Sequence, residues 1–329
     1  MIITQTPLRI SLFGGGTDFR EFYLERGGAV LSLAIDKYIY VIVKERFDEK
    51  IYINYSRKEI VDSVDEIHHE LVREAMRRTG VGEGVEITTL ADVPSEGSGL
   101  GSSSSVTVGL LNALYAYQGE QVPLERLARE ACEIEIDILG KPIGVQDQYI
   151  AAFGGLRFFE FRKDGSIGTE RLDLSDEEKR RLVSNLLVFF TGRTRSSSEV
   201  LTEQKNNISE RTAELEVLRD LAYEAREHVL KGSLDEIGGL MHRGWEAKKK
   251  LASNVTTPAI DALYDRAIEA GALGGKIAGA GSGGFLLLYC PRERQNAVRE
   301  ALGGYRELPF LLSRDGSKVI FNVRGYEWK

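Results

Sequence analysis

The chain has 329 residues, of which 42% are hydrophobic and 28% charged, and this composition is typical of a globular protein with room for about two domains. A net charge of -7 and a pI near 5.4 exclude general nucleic-acid or anionic-membrane binding, although they permit a local basic pocket for an anion. No segment of bilayer-spanning length lacks charges, and the N-terminus does not have the layout of a signal peptide, so we expect a cytoplasmic protein.

The first segment of the chain predicts a strand followed by a glycine turn. Residues 2–13 form an apolar run that leads into three consecutive glycines at 14–16. Glycines after a strand mark a place where another group approaches the backbone. Asp18 comes next, and its carboxylate either caps a helix at 19–26 or faces a ligand; the residues alone favour the cap.

The next elements alternate between strand and helix patterns. Residues 29–55 are rich in Val, Ile and Tyr around a charged break, which predicts strands joined by a hairpin. Residues 67–78 predict an amphipathic helix, and residues 84–93 another strand.

A turn rich in glycine and serine connects this strand to an apolar helix. Gly97, Gly99 and Gly101 permit positive φ and close approach to the backbone, and the serines at 102–105 place hydroxyls where a helix leaves its first N–H groups unpaired. A flexible surface loop is the alternative. The position between an apolar strand and a buried helix favours a phosphate-binding loop.

The residues from 123 to 139 predict a helix, although the stretch at 133–138 alternates with a period of two and is also compatible with a strand. Glu133, Glu135 and Asp137 are unusual in so apolar a frame; a solvated face explains Glu133 and Asp137. After a Gly-Pro break, Asp147 lies at the start of another helix, where the positive helix end favours a carboxylate.

A second region begins near residue 175. Ser175 and Glu178 have the pattern of a capping box, and residues 186–190 form an apolar strand. The loop after it contains Arg193 and Arg195 among hydroxyls, which suits an anion site or a solvated loop equally well. Helical stretches follow at 199–231, 233–252 and 257–270, and the order strand, helix, strand, strand to residue 323 predicts an α+β arrangement.

The glycine-rich segments do not match the commonest nucleotide motifs. The loop at 97–105 lacks the ending of a Walker A sequence, and the glycines at 279–284 follow a helix and precede a strand, the reverse of a dinucleotide fingerprint. The motifs of protein kinases are missing as well. Cys132 and Cys290 are expected to be buried thiols, and the histidines have no metal-binding spacing.

Three segments, at 7–18, 94–105 and 276–284, resemble in this order the motifs of the GHMP small-molecule kinases. Further stretches at 144–149 and 191–199 are most similar to the D-glycero-D-manno-heptose 7-phosphate 1-kinases. The resemblance implies an α+β fold with two domains and ATP bound between them. The N-terminal domain, residues 1–174, would be like ribosomal protein S5 domain 2, and the C-terminal domain, residues 175–329, would be ferredoxin-like.

The resemblance also implies the residues of a phosphoryl-transfer site. Mg²⁺ would be bound by Ser103 and Glu135, Asp147 would accept the proton of the sugar anomeric hydroxyl, and Arg9 would keep that carboxylate ionised. The ATP phosphates would be bound by Gly97, Ser98, Gly99, Leu100, Gly101, Ser102, Ser103 and Ser104. The acceptor would be bound by Gly15, Thr17, Asp18, Asp147, Arg193, Arg195 and Gly281.

The activity implied is phosphorylation of the heptose 7-phosphate at its anomeric hydroxyl to give the 1,7-bisphosphate. Arg193 and Arg195, with Lys248–Lys250 behind them, are the candidates for binding the phosphate that the acceptor already carries. A kinase of unphosphorylated fucose or galactose is one alternative. A sensor without catalysis is another, against which the pair of Glu135 and Asp147 argues. The oligomeric state is left open, a homodimer included.

Overall fold

The computed structural model describes residues 1–94, 97–193 and 197–323. The strands in this part of the chain are β1 (Ile2–Phe13), β2 (Gly28–Glu45), β3 (Ile51–Asn54), β4 (Lys58–Val61), β5 (Val85–Ala91), β6 (Leu156–Phe161), β7 (Ile167–Arg171), β8 (Leu186–Phe190), β9 (Gly274–Ile277), β10 (Phe285–Tyr289) and β11 (Lys318–Asn322). The helices are α1 (Arg20–Arg26), α2 (Glu70–Thr79), α3 (Ser102–Gln118), α4 (Leu124–Cys132), α5 (Gln146–Phe153), α6 (Asp176–Ser184), α7 (Ser197–Asn206), α8 (Thr212–Leu230), α9 (Glu236–Lys248), α10 (Pro258–Glu269) and α11 (Gln295–Ala301).

A large mixed sheet is built around β2. Its strand order is β11-β1-β2-β5-β3-β4, and β6 and β7 extend the sheet from the N-terminal half of β2. The predicted hairpin within residues 29–55 is wrong, because both edges of β2 are occupied by β1 on one side and by β5 and β6 on the other. β3 instead pairs in parallel with β5.

Helix α3 packs on this sheet and fixes the glycine-serine loop at the end of the buried strand β1. Most of its residues are buried, as its apolar sequence predicts. The helix begins after Gly101, whose backbone is left-handed with a φ of 77°. The backbone N–H of Arg9 donates to the carbonyl of Leu100 at 3.0 Å, which holds the loop against β1.

Helix α4 continues without a break into a π-helical segment, Glu133–Ile138, so the helix prediction is confirmed over the strand alternative. Glu133 forms ion pairs with Arg78 and Arg129, and Asp137 pairs with Arg20, as expected for a solvated face. Glu135 lies on the inner side and is completely buried. Segments of this kind are frequent at functional sites, since the wider turn re-aims a side chain.

A second sheet has the antiparallel order β8-β10-β9, and helices including α9 and α10 cover it around a core that contains Trp245 and Leu286. The capping box of Ser175 and Glu178 is confirmed, as is the start of α10 after Thr257. The predicted helix at 199–231 is two helices, α7 and α8, separated by turns around Asn207, whose side chain donates to the carbonyl of Leu251 at 3.1 Å.

The last strand returns to the first sheet. β11 pairs antiparallel with the start of β1, and the Ser317 and Thr6 hydroxyls lie 2.8 Å apart. Residues 318–322 therefore complete the large sheet rather than the small one, although the sequence assigns them to the C-terminal domain. The boundary near residue 174 stays a prediction. The strand predicted at 307–312 is reduced to isolated bridges at Glu307 and Leu312.

None of the helices in the described ranges has both the length and the apolar character needed to cross a bilayer. Both cysteines are buried and unpaired, as predicted.

Candidate active site

A cavity of about 70 Å³ lies between the end of β1, the glycine turn, the start of α5 and the end of α9. Its wall also includes Gly279 and Ala280 from the third glycine-rich segment. The charged side chains that line it are those of Arg9, Asp18, Asp147 and Lys248. Groups predicted from segments far apart in the sequence thus meet in one place.

Arg9 and Asp147 form a bidentate ion pair in this cavity. The Arg9 Nε donates to Asp147 Oδ1 at 2.7 Å, and Nη2 donates to Oδ2 at 2.6 Å. The Arg9 Nη1 donates to the carbonyl of Gly99 at 2.5 Å. Because the guanidinium is planar, two parallel bonds hold the carboxylate in one orientation. The pair connects the glycine-serine loop directly to the start of α5.

The glycine-serine loop packs backbone to backbone against the third glycine-rich segment. A Cβ atom on Gly279 would lie 2.6 Å from the Cα of Gly99, and a Cβ on Gly99 would lie 2.4 Å from the carbonyl oxygen of Ala278. Side chains at these positions would force the two segments apart. On its other side, Gly101 lies beside Asp147, since a Cβ there would be 3.4 Å from Oδ2.

Glu135 and Ser103 form the second polar cluster, behind the loop. The Ser103 hydroxyl donates to Glu135 Oε2 at 2.9 Å, and the Gln148 amide donates to Oε1 at 3.2 Å. Burial raises the pKa of the Glu135 carboxyl, while Lys141 and the hydrogen bonds from Ser103 and its neighbours oppose the shift. The Gln148 Oε1 atom is buried and has no hydrogen-bond partner among the described residues.

Asp18 lies in the cavity wall and does not cap α1, whose N-cap is Phe19. Its Oδ1 accepts from the Gly16 N–H at 2.9 Å, and its Oδ2 accepts from the N–H of Gln146 at 3.2 Å, which is the first residue of α5. Burial raises the pKa of Asp18, and the charge of Asp147 adds to that effect. The initial capping interpretation of Asp18 is therefore wrong for α1, and the carboxylate joins the glycine turn to α5.

Two of the predicted acceptor-binding residues, Gly15 and Thr17, have different environments. Gly15 lines the cavity. Thr17 is fully buried, and its hydroxyl donates to the carbonyls of Gly14 at 2.8 Å and Ala29 at 3.0 Å. We correct the prediction for Thr17 accordingly: its side chain stabilises the turn through backbone hydrogen bonds and does not face the cavity.

Of the arginines predicted to form a second anion pocket, the structure describes only Arg193. Arg193 is exposed, and its carbonyl accepts from the Gly284 N–H at 2.8 Å, while Arg195 lies outside the described residues. Gly281 packs against Val255.

The three lysines at the end of α9 also differ. Lys248 enters the cavity, Lys249 pairs with Glu246 at 2.6 Å, and Lys250 is exposed. The solvated-face interpretation therefore applies to Lys249 and Lys250 only.

Ser11 and Gln146 line the cavity but were not predicted as site residues. Both are buried, and the Ser11 Oγ and Gln146 Oε1 atoms have no hydrogen-bond partner in the described part of the chain. Buried polar atoms are normally paired, so unpaired oxygens in a cavity wall are suited to bind hydroxyl groups of a ligand. Both residues belong to segments that the sequence singled out, 7–18 and 144–149, which was the available signal.

Comparison with known proteins identifies the family of this chain. The model of the GHMP kinases N terminal domain matches residues 56–155, and that of the GHMP kinases C terminal domain matches residues 225–306. The chain is 30% identical to the D-glycero-alpha-D-manno-heptose 7-phosphate kinase of Campylobacter jejuni, over 96% of this chain and 98% of that relative. The chain belongs to the GHMP kinase family. The α+β fold with GHMP kinase N- and C-terminal parts is thereby confirmed.

Other GHMP kinases show how far the similarity extends. The structure of a D-glycero-D-manno-heptose 1-phosphate kinase from Bacteroides thetaiotaomicron superimposes with a TM-score of 0.83 and 26% identity, over 99% of this chain and 100% of that one. The bifunctional fucokinase/GDP-fucose pyrophosphorylase of Arabidopsis thaliana is 26% identical over 98% of this chain, which spans 32% of that relative. This GHMP kinase is therefore a phosphotransferase that acts on a sugar hydroxyl, with ATP as the phosphate donor.

Proposed function

We propose that this GHMP kinase transfers the γ-phosphoryl group of ATP to the anomeric hydroxyl of D-glycero-D-manno-heptose 7-phosphate, giving the 1,7-bisphosphate. The observation that carries the proposal is the Arg9–Asp147 pair, which fixes a carboxylate between the cavity and the glycine-serine loop. An acceptor hydroxyl in the cavity would then face phosphates bound at the loop. The name of the Campylobacter jejuni relative supports the choice of acceptor.

In this proposal Asp147 accepts the proton of the acceptor hydroxyl. Phosphoryl transfer requires mainly positioning and charge neutralisation, with little covalent chemistry from the protein. A general base must lie within hydrogen-bonding reach of the proton that it removes, and Asp147 lines the cavity with part of its carboxylate accessible. Asp18, Ser11 and Gln146 would bind the sugar hydroxyls from the same wall.

The residues behind the loop fit the Mg²⁺ ion that the family resemblance implies. Mg²⁺ prefers hard oxygen ligands, and adjacent ligands of an octahedral ion lie roughly 3 Å apart. The Ser103 Oγ and Glu135 Oε2 atoms are 2.9 Å apart, and the unpaired Gln148 Oε1 is buried beside the same carboxylate. When bound, the ion would neutralise negative charge on the ATP phosphates. Ser103 and Glu135 would hold it behind the loop.

The acceptor phosphate would be bound by Arg193 and Arg195 in the loop after β8. Arg193 is exposed and lies outside the cavity lining, and its backbone contacts Gly284 at the end of the third glycine-rich segment. Guanidinium groups suit this task because they bind phosphate through two parallel hydrogen bonds. A homodimeric assembly and a cytoplasmic location also stay predictions from the sequence.

The experiment that tests the function is a coupled assay of ADP release over a panel of sugars. The panel contains the heptose with a 7-phosphate, with a 1-phosphate and without phosphate, together with fucose and galactose. We expect the highest kcat/KM with the 7-phosphate. Preference for an unphosphorylated sugar would replace the proposal by a fucokinase-like or galactokinase-like activity, and ATP binding without turnover on any sugar would favour a sensor.

The contribution of the arginine loop is tested on the same panel. Arg193→Ala should reduce kcat/KM for the heptose 7-phosphate about tenfold more than for the unphosphorylated heptose, as expected when a charge-assisted hydrogen bond is lost. Arg292→Ala is the matched control, because Arg292 is exposed beyond the opposite end of β10. Equal losses on both sugars would remove Arg193 from the phosphate site.

A further inference from the structure

Lys248 is a buried cation in the cavity, and no carboxylate of the described residues forms an ion pair with it. The last residue of α9, it is 5% exposed, and its ammonium group donates to the carbonyl of Gly279. No ion pair of Lys248 within 4 Å is found in the described ranges, in contrast to its neighbour Lys249. Burying an unpaired charge is costly, so a buried ammonium in an open cavity indicates that an anionic ligand binds beside it.

Lys248 lies between the loop predicted to bind the ATP phosphates and the carboxylate of Asp147. Gly279, whose carbonyl accepts the hydrogen bond from Lys248, lies against Gly99 of the nucleotide loop. Asp147 and Arg9 line the same cavity on the acceptor side. An ammonium at this point lies where a phosphoryl group would pass from the loop to a hydroxyl beside Asp147.

Lys248 differs from Arg9 in having no carboxylate partner within 4 Å in the described ranges. Arg9 commits three nitrogen atoms to Asp147 and Gly99, and the carboxylate neutralises its charge. An ammonium group has three N–H donors, of which Lys248 uses one on Gly279. Two donors and a full positive charge are left for a ligand.

We propose that Lys248 is a catalytic residue that binds the phosphoryl group in transit and stabilises the charge on its nonbridging oxygens. The proposal rests on the kinase function proposed above. In the step, the bond between the γ-phosphorus and the β–γ bridging oxygen of ATP breaks, and a bond from the acceptor oxygen to that phosphorus forms. The hydroxyl proton goes to Asp147, and ADP leaves with the bridging oxygen.

The cavity geometry separates this role from binding of the acceptor's own phosphate. The anomeric hydroxyl must lie beside Asp147 for proton transfer, and Asp147 and Lys248 line the same small cavity. A 7-phosphate is at the far end of the sugar from C1. Lys248 is therefore at the reacting end of the acceptor, whereas Arg193 is in a different, exposed segment.

The test compares Lys248→Met and Lys248→Arg with Lys249→Met, which makes the same substitution at the adjacent residue outside the cavity. We measure kcat and KM for the heptose with and without its 7-phosphate. Lys248→Met should lower kcat about 10²- to 10³-fold on both acceptors, the cost of removing one preorganised donor, with acceptor KM changed less than about threefold. Lys248→Arg should retain more activity than Lys248→Met, and Lys249→Met should behave as wild type.

A loss confined to the phosphorylated acceptor would overturn the proposal and make Lys248 an anchor for the acceptor phosphate. A loss expressed in KM alone on both acceptors would also overturn it and make Lys248 a residue that binds the sugar. Should Lys248→Met fail to fold, Lys248→Arg is tested by the same criterion. A lowered kcat on both acceptors would support the proposal, and a changed KM on the phosphorylated acceptor alone would contradict it. If the wild-type enzyme prefers another sugar, the proposed function fails, but the ratio of variant to wild-type kcat on that sugar still decides the role of Lys248.

Discussion

Ser11 on β1 and Ser32 on β2 are register partners across the antiparallel pair, yet their hydroxyls have different environments. The Ser32 hydroxyl donates to the carbonyl of Ile10 at 3.2 Å. The Ser11 hydroxyl is buried in the cavity wall and has no partner among the described residues. Because an unpaired buried oxygen destabilises the free enzyme, serine-to-alanine substitution at these two positions should affect different quantities: KM at Ser11 and Tm at Ser32.

Ser11→Ala should raise the KM for the sugar about 3- to 10-fold, as expected for the loss of roughly 1 kcal/mol of hydrogen bonding, without lowering Tm. Ser32→Ala should lower Tm and leave KM unchanged, since its hydrogen bond is internal to the sheet. Steady-state kinetics and thermal melts of both variants check the pair. A lowered Tm with wild-type KM for Ser11→Ala would contradict an acceptor-binding role.

Asp147→Asn should keep ATP binding and lower kcat by about 10²- to 10⁴-fold, the usual contribution of a general base. The amide preserves the shape of the side chain but cannot take the proton. Asp137→Asn is a suitable control, because Asp137 is a surface carboxylate that also pairs with an arginine, Arg20. Titration with ATP and a turnover assay give the two quantities, and near wild-type turnover would remove Asp147 as the base.

Glu135→Gln should raise the stability of the metal-free protein and weaken its activation by Mg²⁺. Burial raises the pKa of Glu135, so the folded protein binds this proton more tightly than the unfolded chain. The carboxylate therefore lowers the stability of the metal-free protein as the pH rises from the unfolded pKa through the folded one. Glu135→Gln should raise the metal-free Tm near pH 7 relative to wild type, and should increase the Mg²⁺ concentration for half-maximal activity by at least about tenfold.

Thermal melts without Mg²⁺ and activity over a Mg²⁺ titration test both parts of this prediction. Glu133→Gln is the control on the same π-helical segment, where the carboxylate forms ion pairs at the surface. An unchanged Mg²⁺ dependence of Glu135→Gln would place the metal elsewhere.

The pH dependence of kcat/KM should show the loss of the positive charge of Lys248. Burial lowers its pKa to about 8 and the charge of Arg9 contributes, while Asp18 and Asp147 oppose the shift. Lys276, on β9, is a further buried lysine near it, and burial also lowers the pKa of Lys276. The ammonium is charged below this pKa, so kcat/KM, which reports the free enzyme, should fall as the pH rises through about 8. Lys248→Arg should shift this decline to higher pH because arginine stays protonated; an unchanged profile would argue against Lys248.

The resemblance to the GHMP kinases, and not the residue patterns alone, implied which residues belong to the candidate site. The structure brings Arg9 to Asp147 and Ser103 to Glu135, and these residues lie in conspicuous glycine-rich or acidic stretches. Lys248 was not separable from the two lysines after it, because only the packing at the end of α9 distinguishes a buried ammonium from a solvated one.

The errors in the fold prediction have a similar origin. Whether β2 pairs with β3 or with β5 depends on contacts between segments distant in sequence, which residue patterns do not encode. The same holds for β11, since its β-branched and aromatic residues predict a strand but not the sheet that it joins.

The pairing of β11 with β1 has a consequence for biosynthesis. β1 carries Arg9, and Ile2 to Gln5 at its beginning pair with Asn322 to Lys318. During translation residues 2–5 emerge from the ribosome long before residues 318–322, and contacts of such high sequence separation form slowly. A nascent N-terminal half therefore has an open sheet edge until residues 318–322 have been made, and the strand that carries Arg9 gains this neighbour only then.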